Sequence, residues 1–259
     1  MAALRLFDSH CHINFPHFSD DRDAVFARMA EVGVEGCVVV SVDLAQLPEL
    51  VQLAETHDHV WFSVGVHPNH DVTAEPSVEQ LCTLANHPRC VAIGETGMDF
   101  FRNSVPEAVQ AERLRNHIRA ARACDKPVII HDREADDACM TILAEEGVDH
   151  CGGIMHCFSS DWPTAKRALD LGMSISFSGN VTFKRNEVLR AVAARVPDAQ
   201  LMIETDSPYL APVPKRGKRN EPSYVAHVAG CLAEVRGGDV AALAAMTTEN
   251  SRRRFGISA

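Results

Sequence analysis

The sequence lacks an apolar stretch long enough to cross a membrane. Its 259 residues contain no run of about 18 or more apolar side chains, and no charged segment followed by a long apolar one marks a signal peptide near Met1. We therefore expect no membrane partner. The hydrophobic fraction of 46% and the charged fraction of 23% are ordinary for a globular chain.

A disulfide framework is also missing. Nine cysteines are scattered along the chain without a C-x-x-C pair, and an odd number in a chain this long does not build such a framework. We expect the protein to be located in the reducing cytoplasm. We also expect it to be a monomer. Cys11 and Cys157 adjoin candidate metal ligands, but in an extended segment each points away from the neighbouring histidine, so we expect both to be structural.

A basic excess is absent as well. Lys and Arg number 25 against 35 Asp and Glu, a net charge of −10, which argues against a surface that coats nucleic acid non-specifically. A nuclease is still compatible with this charge, because bound divalent cations would reverse its local sign. Residues 215–219 and 252–254 form two basic clusters, each of which is either a phosphate contact or a solvated loop or helix end.

Apolar β-branched runs alternate with amphipathic segments along the whole chain, a pattern typical of βα units with a parallel sheet. The predicted strands cover residues 6–8, 36–42, 60–66, 90–95, 127–131, 153–156, 173–177 and 201–204. The predicted helices cover 21–32, 47–57, 105–123, 135–146, 163–171, 186–195 and 224–235, with an extra helix over 239–255. Eight units predict an α/β fold, a single-domain (β/α)8 TIM barrel spanning 1–259.

Polar side chains follow most of the predicted strands. In such a barrel the chemistry lies at the carboxyl ends of the strands, so these side chains should converge on one mouth. The irregular segment 208–223 follows the last strand and is expected to be a long loop over that mouth. The strand-end residues are Asp8, His10, His12, His67, Glu95, His131, Asp132, Arg133, His156, Glu204 and Asp206.

Four histidines and two carboxylates of this set predict a metal site. Six N and O ligands are too many for one tetrahedral zinc, so two ions sharing a bridging carboxylate, about 4 Å apart, are the economical arrangement. Mixed imidazole and carboxylate ligation suits Mg²⁺, Mn²⁺ or Zn²⁺. We predict that His10, His12 and Asp206 hold one ion, that His131 and His156 hold the other, and that Glu95 bridges them.

This metal centre predicts a hydrolase. A water held between two divalent ions loses its proton near neutral pH and becomes a hydroxide nucleophile. Asp206 is predicted to orient that water or to take its proton as general base. Glu204, two residues earlier, is either a proton carrier and support for a ligand, or an interior residue paired with a cation.

Several segments resemble the TatD family of metal-dependent deoxyribonucleases, in order along the whole chain. They are Asp8-Ser9-His10-Cys11-His12, Gly65-Val66-His67-Pro68, Gly94-Glu95-Thr96-Gly97-Met98-Asp99, His131-Asp132-Arg133-Glu134, Met155-His156-Cys157-Phe158 and Glu204-Thr205-Asp206-Ser207-Pro208-Tyr209. The resemblance implies an amidohydrolase-type barrel with two divalent ions and a 3′ to 5′ exonuclease acting on single-stranded DNA. It carries the metal ligands over onto the same six residues and assigns His67 and Glu204 to the active site.

DNA would bind through cations and a few aromatic rings. Arg133, Lys218 and Arg219 are the predicted phosphate contacts, and binding should be independent of base sequence. Phe158, Phe183 and Tyr209 are candidates for base stacking, although each also fits the core. Asp132 departs from the small polar residue common in the family and would place a negative charge beside the phosphate.

Two other functions remain open at this level. The same centre could hydrolyse a small ester, amide or phosphotriester, because a barrel fixes the site and not the substrate. A strand-five lysine carrying a carbamate would favour that reading, but Lys126 precedes the strand and His131 ends it. A metal-binding scaffold that docks a partner is the non-enzymatic alternative.

Overall fold

Eight parallel strands form one sheet that curls into a barrel. The computed structural model describes residues 4–102 and 104–258, so the ends of the predicted span 1–259 and residue 103 lie outside the described residues. The strands follow one another in chain order around the sheet. They are β1 (Leu6–Cys11), β2 (Val34–Val39), β3 (Val60–Val64), β4 (Cys90–Asp99), β5 (Val128–Arg133), β6 (Gly153–Met155), β7 (Ser174–Phe177) and β8 (Leu201–Ile203). The predicted (β/α)8 barrel is confirmed.

The barrel closes where β1 meets the segment after β8. The His12 amide donates to the Ser207 carbonyl at 2.8 Å, and the Asp206 amide donates to the His10 carbonyl at 2.9 Å. A parallel bridge also pairs Cys11 with Ser207. Closure therefore brings both histidines of the first motif beside Asp206, although almost 200 residues separate them in the sequence.

Helices cover the outside of the barrel. Within the described residues they are α1 (Arg22–Val32), α2 (Leu47–Thr56), α3 (Val78–Ala85), α4 (Glu107–Cys124), α5 (Asp136–Glu145), α6 (Trp162–Asp170), α7 (Glu187–Ala193), α8 (Val225–Arg236) and α9 (Val240–Phe255). None of these helices is both long and apolar enough to pass through a bilayer. All nine cysteines are free thiols.

The sequence pattern did not predict helix α3. The helix has only eight residues and buries just Leu81 and Ala85, so its apolar periodicity is too short to stand out. A local signal was present, however. Ser77 caps the helix by accepting a hydrogen bond from the Gln80 amide, and a serine followed by glutamine three positions later is typical of a helix start.

Strand β4 extends to Asp99, four residues past its predicted end. After an irregularity its pairing with β5 resumes at Thr96 and continues through Gly97, which lies opposite His131. Gly97 has a φ of 144°, and a Cβ atom there would lie 1.9 Å from the His131 carbonyl oxygen. Only glycine permits this approach, so Gly97 lets β4 and β5 bring their polar side chains together.

Alternation along the strands aims the polar residues into the barrel. Ile129, Ile154 and Met202 belong to the small apolar cluster inside the barrel. Side chains two positions apart on a strand share a face. The residues two positions further on therefore point into the mouth, and these are His131, His156 and Glu204.

His117 of helix α4 anchors the segment that follows β3. Its Nε2 accepts a hydrogen bond from the Val66 amide at 3.1 Å, and its Nδ1 donates to the Arg113 carbonyl at 2.8 Å. Burial lowers the pKa of His117 to about 4. The accepted N–H bond works in the same direction, because a protonated Nε2 could not accept it.

His117 should make the stability of the protein pH-dependent. On lowering the pH, unfolded His117 takes up a proton near pH 6.5, whereas the folded residue does so only near pH 4. Acid therefore favours the unfolded chain, and His117 should account for a loss of about 2 kcal/mol between pH 7 and pH 5. When the free energy of unfolding is measured with denaturant at several pH values, His117→Gln should lack this part of the pH dependence. His150→Gln replaces an exposed histidine and should leave the pH dependence unchanged. An equal pH dependence in both variants would contradict the assignment to His117.

Candidate active site at the barrel mouth

A cavity of about 710 Å³ opens at the carboxyl ends of the strands. Within the described residues, its wall brings together most of the predicted site. The predicted site residues on it are His12, His67, Glu95, His131, Arg133, His156 and Asp206. His10 and Glu204 lie just beneath this wall, where both are fully or almost fully buried.

Glu95 lies between two groups of imidazoles. Its side chain is only 3% exposed. Oε2 lies 3.4 Å from Nε2 of His10 and 3.9 Å from Nε2 of His12. Oε1 lies 2.8 Å from Nε2 of His156 and 3.0 Å from Nδ1 of His131. The two oxygens of one carboxylate therefore face different pairs of histidines, as a bridging ligand would.

The first group has the spacing of a metal site. Nε2 of His10 lies 3.2 Å from Nε2 of His12, and Oδ1 of Asp206 lies 3.9 Å and 3.5 Å from these two atoms. Ligands of a tetrahedral zinc with bonds of about 2.1 Å lie about 3.4 Å from one another. The residues therefore fit a divalent cation, and His10, His12 and Glu95 form one of the groups able to hold one.

The second group is equally tight. Nε2 of His156 lies 3.4 Å from Nδ1 of His131, and both approach Oε1 of Glu95. Glu204 accepts a hydrogen bond from Nδ1 of His156 at 3.2 Å, so a cation that displaced the other ring proton would bind at Nε2. Oε1 of Glu204 also accepts a hydrogen bond from the Cys157 amide at 2.8 Å. Glu204 thus orients His156.

Asp99 is a site residue that the sequence reasoning missed. It is 1% exposed, and Oδ2 lies 3.2 Å from Nε2 of His131, so it holds Nδ1 of that ring toward Glu95. Burial raises the pKa of Asp99, but hydrogen bonds from His131 and from the Arg102 amide, together with the charges of His131 and Arg133, lower the pKa to about 2. The signal was the position of Asp99, four residues after Glu95 in the same motif.

His67 is close to Glu95 but differs from the other histidines in which ring nitrogen carries its proton. Its Nδ1 accepts a hydrogen bond from the Asn69 amide at 3.1 Å. Burial lowers the pKa of His67 to about 3, so the ring is neutral and its single proton must sit on Nε2. Nε2 lies 3.7 Å from Oε1 of Glu95. His67 therefore presents an N–H donor to the cavity.

Charges in the site are balanced only in part by the protein. Burial raises the pKa of Glu95, but the charge of His156 and hydrogen bonds from His10 and His131 hold it well below its usual range. Burial lowers the pKa of His156, and the carboxylates of Glu95 and Glu204 raise it well above its usual range. Within the described residues, Nδ1 of His10 and Oε2 of Glu204 are buried without a hydrogen-bond partner.

The three predicted phosphate contacts lie in different places. Arg133 lines the cavity. Lys218 is exposed on the loop after β8, and neither it nor Arg219 reaches the cavity wall. Arg219 instead pairs with Asp21 at 2.8 Å and donates to the His17 carbonyl at 2.6 Å. Its contacts therefore support a role in anchoring the loop rather than direct contact with a substrate.

Asp132 faces the mouth, as the sequence reasoning had considered, but its charge is reduced. Burial and the neighbouring carboxylate of Asp136 raise the pKa of Asp132 to about 7. A large part of the Asp132 population is therefore neutral at pH 7 and repels a phosphate less than a full charge would.

Other predicted residues turn out to be structural. Phe158 is 3% exposed and belongs to the core, and the Phe183 ring is covered by the Arg216 guanidinium at 3.9 Å. Lys126 donates to the Cys90 carbonyl at the start of β4, far along the strand from Glu95. The described part of β5 thus offers no lysine at the mouth for a carbamate bridge, which weakens the amidohydrolase-type alternative without removing it.

Comparison with known proteins identifies the family. The model of a family described as TatD related DNase matches residues 7–256. The chain belongs to this TatD family. It is 44% identical to an uncharacterized metal-dependent hydrolase, YcfH, of Escherichia coli K12, over 98% of this chain and 97% of that protein. Membership places it in a family of metal-dependent hydrolases.

Two further proteins that carry the TatD name are also similar to this chain. A 3′-5′ ssDNA/RNA exonuclease TatD of Enterobacter lignolyticus is 35% identical over 98% of this chain and 100% of that protein. The crystal structure of YJJV, a TatD homologue of Escherichia coli K12, superposes with a TM-score of 0.92 at 30% identity, covering 99% of this chain and 100% of that one. The resemblance that the motifs suggested is therefore confirmed.

In this TatD-family chain, Arg113 of helix α4 holds the loop that carries His67. The guanidinium is 1% exposed and donates to the carbonyls of His67, Pro68 and His70 at 2.6 to 3.1 Å. Its other edge pairs with both carboxylate oxygens of Glu75. A planar group with five donors is suited to such a position.

Replacing Arg113 with methionine should lower the free energy of unfolding by about 3 to 5 kcal/mol, because three carbonyls and a carboxylate lose their buried partner. Arg115→Met, on the same helix, removes more exposed ion pairs to Glu145 and Glu146 and should cost about 1 kcal/mol or less. Denaturant unfolding measures both values. Equal losses would show that Arg113 does not hold the loop.

Proposed function

We propose that this protein is a metal-dependent deoxyribonuclease that removes nucleotides from the 3′ end of single-stranded DNA. The observation that carries the proposal is Glu95, whose two buried oxygens face two separate pairs of imidazoles. The name of the Enterobacter lignolyticus relative, a 3′-5′ ssDNA/RNA exonuclease, supports this choice of substrate. The substrate is bound without regard to base sequence.

Two divalent cations, Mg²⁺, Mn²⁺ or Zn²⁺, are the proposed cofactors. His10, His12 and Asp206 would hold one, His131 and His156 the other, and Glu95 would contact both. The short separations among these nitrogen and oxygen atoms support this set. When bound, such ions stabilise negative charge on a phosphoryl group and make a water more acidic.

The protein groups divide the remaining work of hydrolysis. A water oxygen attacks the phosphorus atom of the 3′-terminal nucleotide. The bond from that phosphorus to the 3′ oxygen of the penultimate nucleotide breaks, and a nucleoside 5′-monophosphate is released. Burial raises the pKa of Asp206, but a hydrogen bond from His12 and nearby imidazoles lower it, so its carboxylate is ionised and accepts the water proton. That proton ends on the departing 3′ oxygen.

Two side chains stabilise the phosphate as the bonds change. His67 carries its proton on Nε2 and donates it in a hydrogen bond to a phosphoryl oxygen, which requires no charge on the ring. Arg133 lines the cavity and binds a neighbouring phosphate, with Lys218 as an outer contact. Glu204 keeps His156 in its orientation, and Arg219 holds the loop that bears Lys218.

Metal content should separate the two groups of ligands. The double variant His10→Ala with His12→Ala should lose about one ion per chain and retain part of the other, because His131, His156 and Glu95 remain. Glu95→Ala should lose both, since the shared oxygens are gone. Elemental analysis after equilibration with Zn²⁺ measures the ratio, with His150→Ala as a control histidine. Loss of both ions in the double variant would contradict the division.

The nuclease activity can be tested with end-labelled single strands in Mg²⁺ or Mn²⁺. We expect stepwise shortening from the 3′ end that stops when a chelator is added. Glu95→Ala and Asp206→Ala should each lower the rate at least about 100-fold, because each removes buried charge at the reacting phosphate. The surface variant Glu145→Ala should keep the wild-type rate. Absence of shortening, or shortening that survives Glu95→Ala, would refute the function.

A further inference from the structure

Two aromatic side chains are exposed in a protein that covers its other rings at least in part, and both follow strands at the barrel mouth. Phe101 is 58% exposed and Tyr209 is 49% exposed; within the described residues, they are the aromatic members of the exposed large apolar side chains. Phe101 follows β4 and Tyr209 follows β8. These strands are four places apart around an eight-stranded barrel, so the two rings lie on opposite sides of the barrel mouth. Tyr209 lines the cavity, and Phe101 borders it through its contact with Arg133.

Tyr209 continues an aromatic row that starts at the proposed metal ligands. Phe15 stacks on the ring of His12 with centroids 4.7 Å apart and planes 15° apart. The Tyr209 ring meets Phe15 edge-on at 6.4 Å. Tyr209 also lines the cavity together with Asp206. A planar group such as a base, extending from the reacting phosphate toward this side, therefore meets an aromatic surface.

Phe101 stands beside cations on the opposite side. The Arg133 guanidinium lies 3.9 Å from the Phe101 ring centroid. Arg133 makes no side-chain hydrogen bond to the part of the chain that the structure describes, so its N–H groups are available at the cavity wall. Arg102, the next residue after Phe101, also lines the cavity. Cations and an exposed ring side by side suit a ligand that combines phosphates with planar bases.

The cost of exposing these rings to water points to a ligand that covers them. Scattered exposed apolar residues are normal, but a ring on the cavity wall and a second ring packed on a cation of that wall are not scattered. An apolar peptide would leave the cations unpaired, whereas a nucleic acid uses both the rings and the cations. A duplex hides the faces of its bases in its own stack, and only unpaired bases offer those faces to a protein.

We propose that Phe101 and Tyr209 are stacking platforms for bases of the bound strand, one on each side of the barrel mouth, and that they are the residues through which the site holds an unpaired strand. The inference rests on the proposed nuclease function and assigns two residues that bind its substrate. A strand that stacks on both rings crosses the mouth, where Glu95 and the two groups of histidines lie. A strand enters this arrangement only where its last bases are unpaired.

The test compares variants on natural and abasic strands. For a natural strand, Phe101→Ala and Tyr209→Ala should each raise KM about five-fold or more with little change in kcat. For a strand whose last two nucleotides carry a tetrahydrofuran in place of the base, the same variants should have wild-type KM, because no base is present to stack. Phe101→Tyr and Tyr209→Phe keep a ring and should restore the wild-type KM on natural strands.

The outcomes distinguish a failure of this inference from a failure of the proposed nuclease function. If wild-type protein cleaves neither strand, the proposed function fails. If wild-type protein cleaves both but Phe101→Ala and Tyr209→Ala change KM equally for natural and abasic strands, or for neither, the stacking platforms are refuted. Val188→Ala, at an exposed apolar residue on α7, should behave as wild type on both strands. Circular dichroism of each variant checks that the barrel is folded.

Discussion

The buried carboxylate of Glu95 is the interaction on which the site depends. A carboxylate with 3% exposure is expensive to place inside a protein, and the charge of His156 with hydrogen bonds from His10 and His131 favours its ionised form. Each of its oxygens points to a different pair of histidines. In the site that we propose, one divalent cation on each side of this carboxylate would supply positive charge where each oxygen points.

The fold supplies this arrangement by bringing distant strands together. Gly97 lets β4 approach β5 closely enough for Glu95 and His131 to meet. Closure of the barrel sets His10 and His12 beside Asp206. Around this centre lie residues that fix protons and orientation rather than react. Asp99 and Glu204 accept hydrogen bonds from His131 and His156 and orient these rings, while the loop after β3 is held by helix α4 so that His67 offers an N–H to the cavity.

Much of this could be predicted from the sequence because strands have a strict period of two. Ile129 and His131, or Met202 and Glu204, share a face wherever the strand is regular, so polar strand ends could be assigned to one mouth. What could not be predicted depends on contacts between distant segments. The pairing of Arg219 with Asp21 spans 198 residues, and nothing in the local pattern distinguishes it from a free cation. The exposure of Phe101 is likewise set by neighbouring loops, and the two turns of α3 were too short for periodicity to reveal.

The most direct measurement of the central claim is anomalous X-ray scattering from crystals grown with Zn²⁺ or Mn²⁺. We expect two peaks about 4 Å apart, one beside His10 and His12 and one beside His131 and His156, with an oxygen of Glu95 at about 2.1 Å from each. A single peak, or two peaks that leave the Glu95 carboxylate beyond bonding distance, would contradict the claim that this residue joins the two halves of the site.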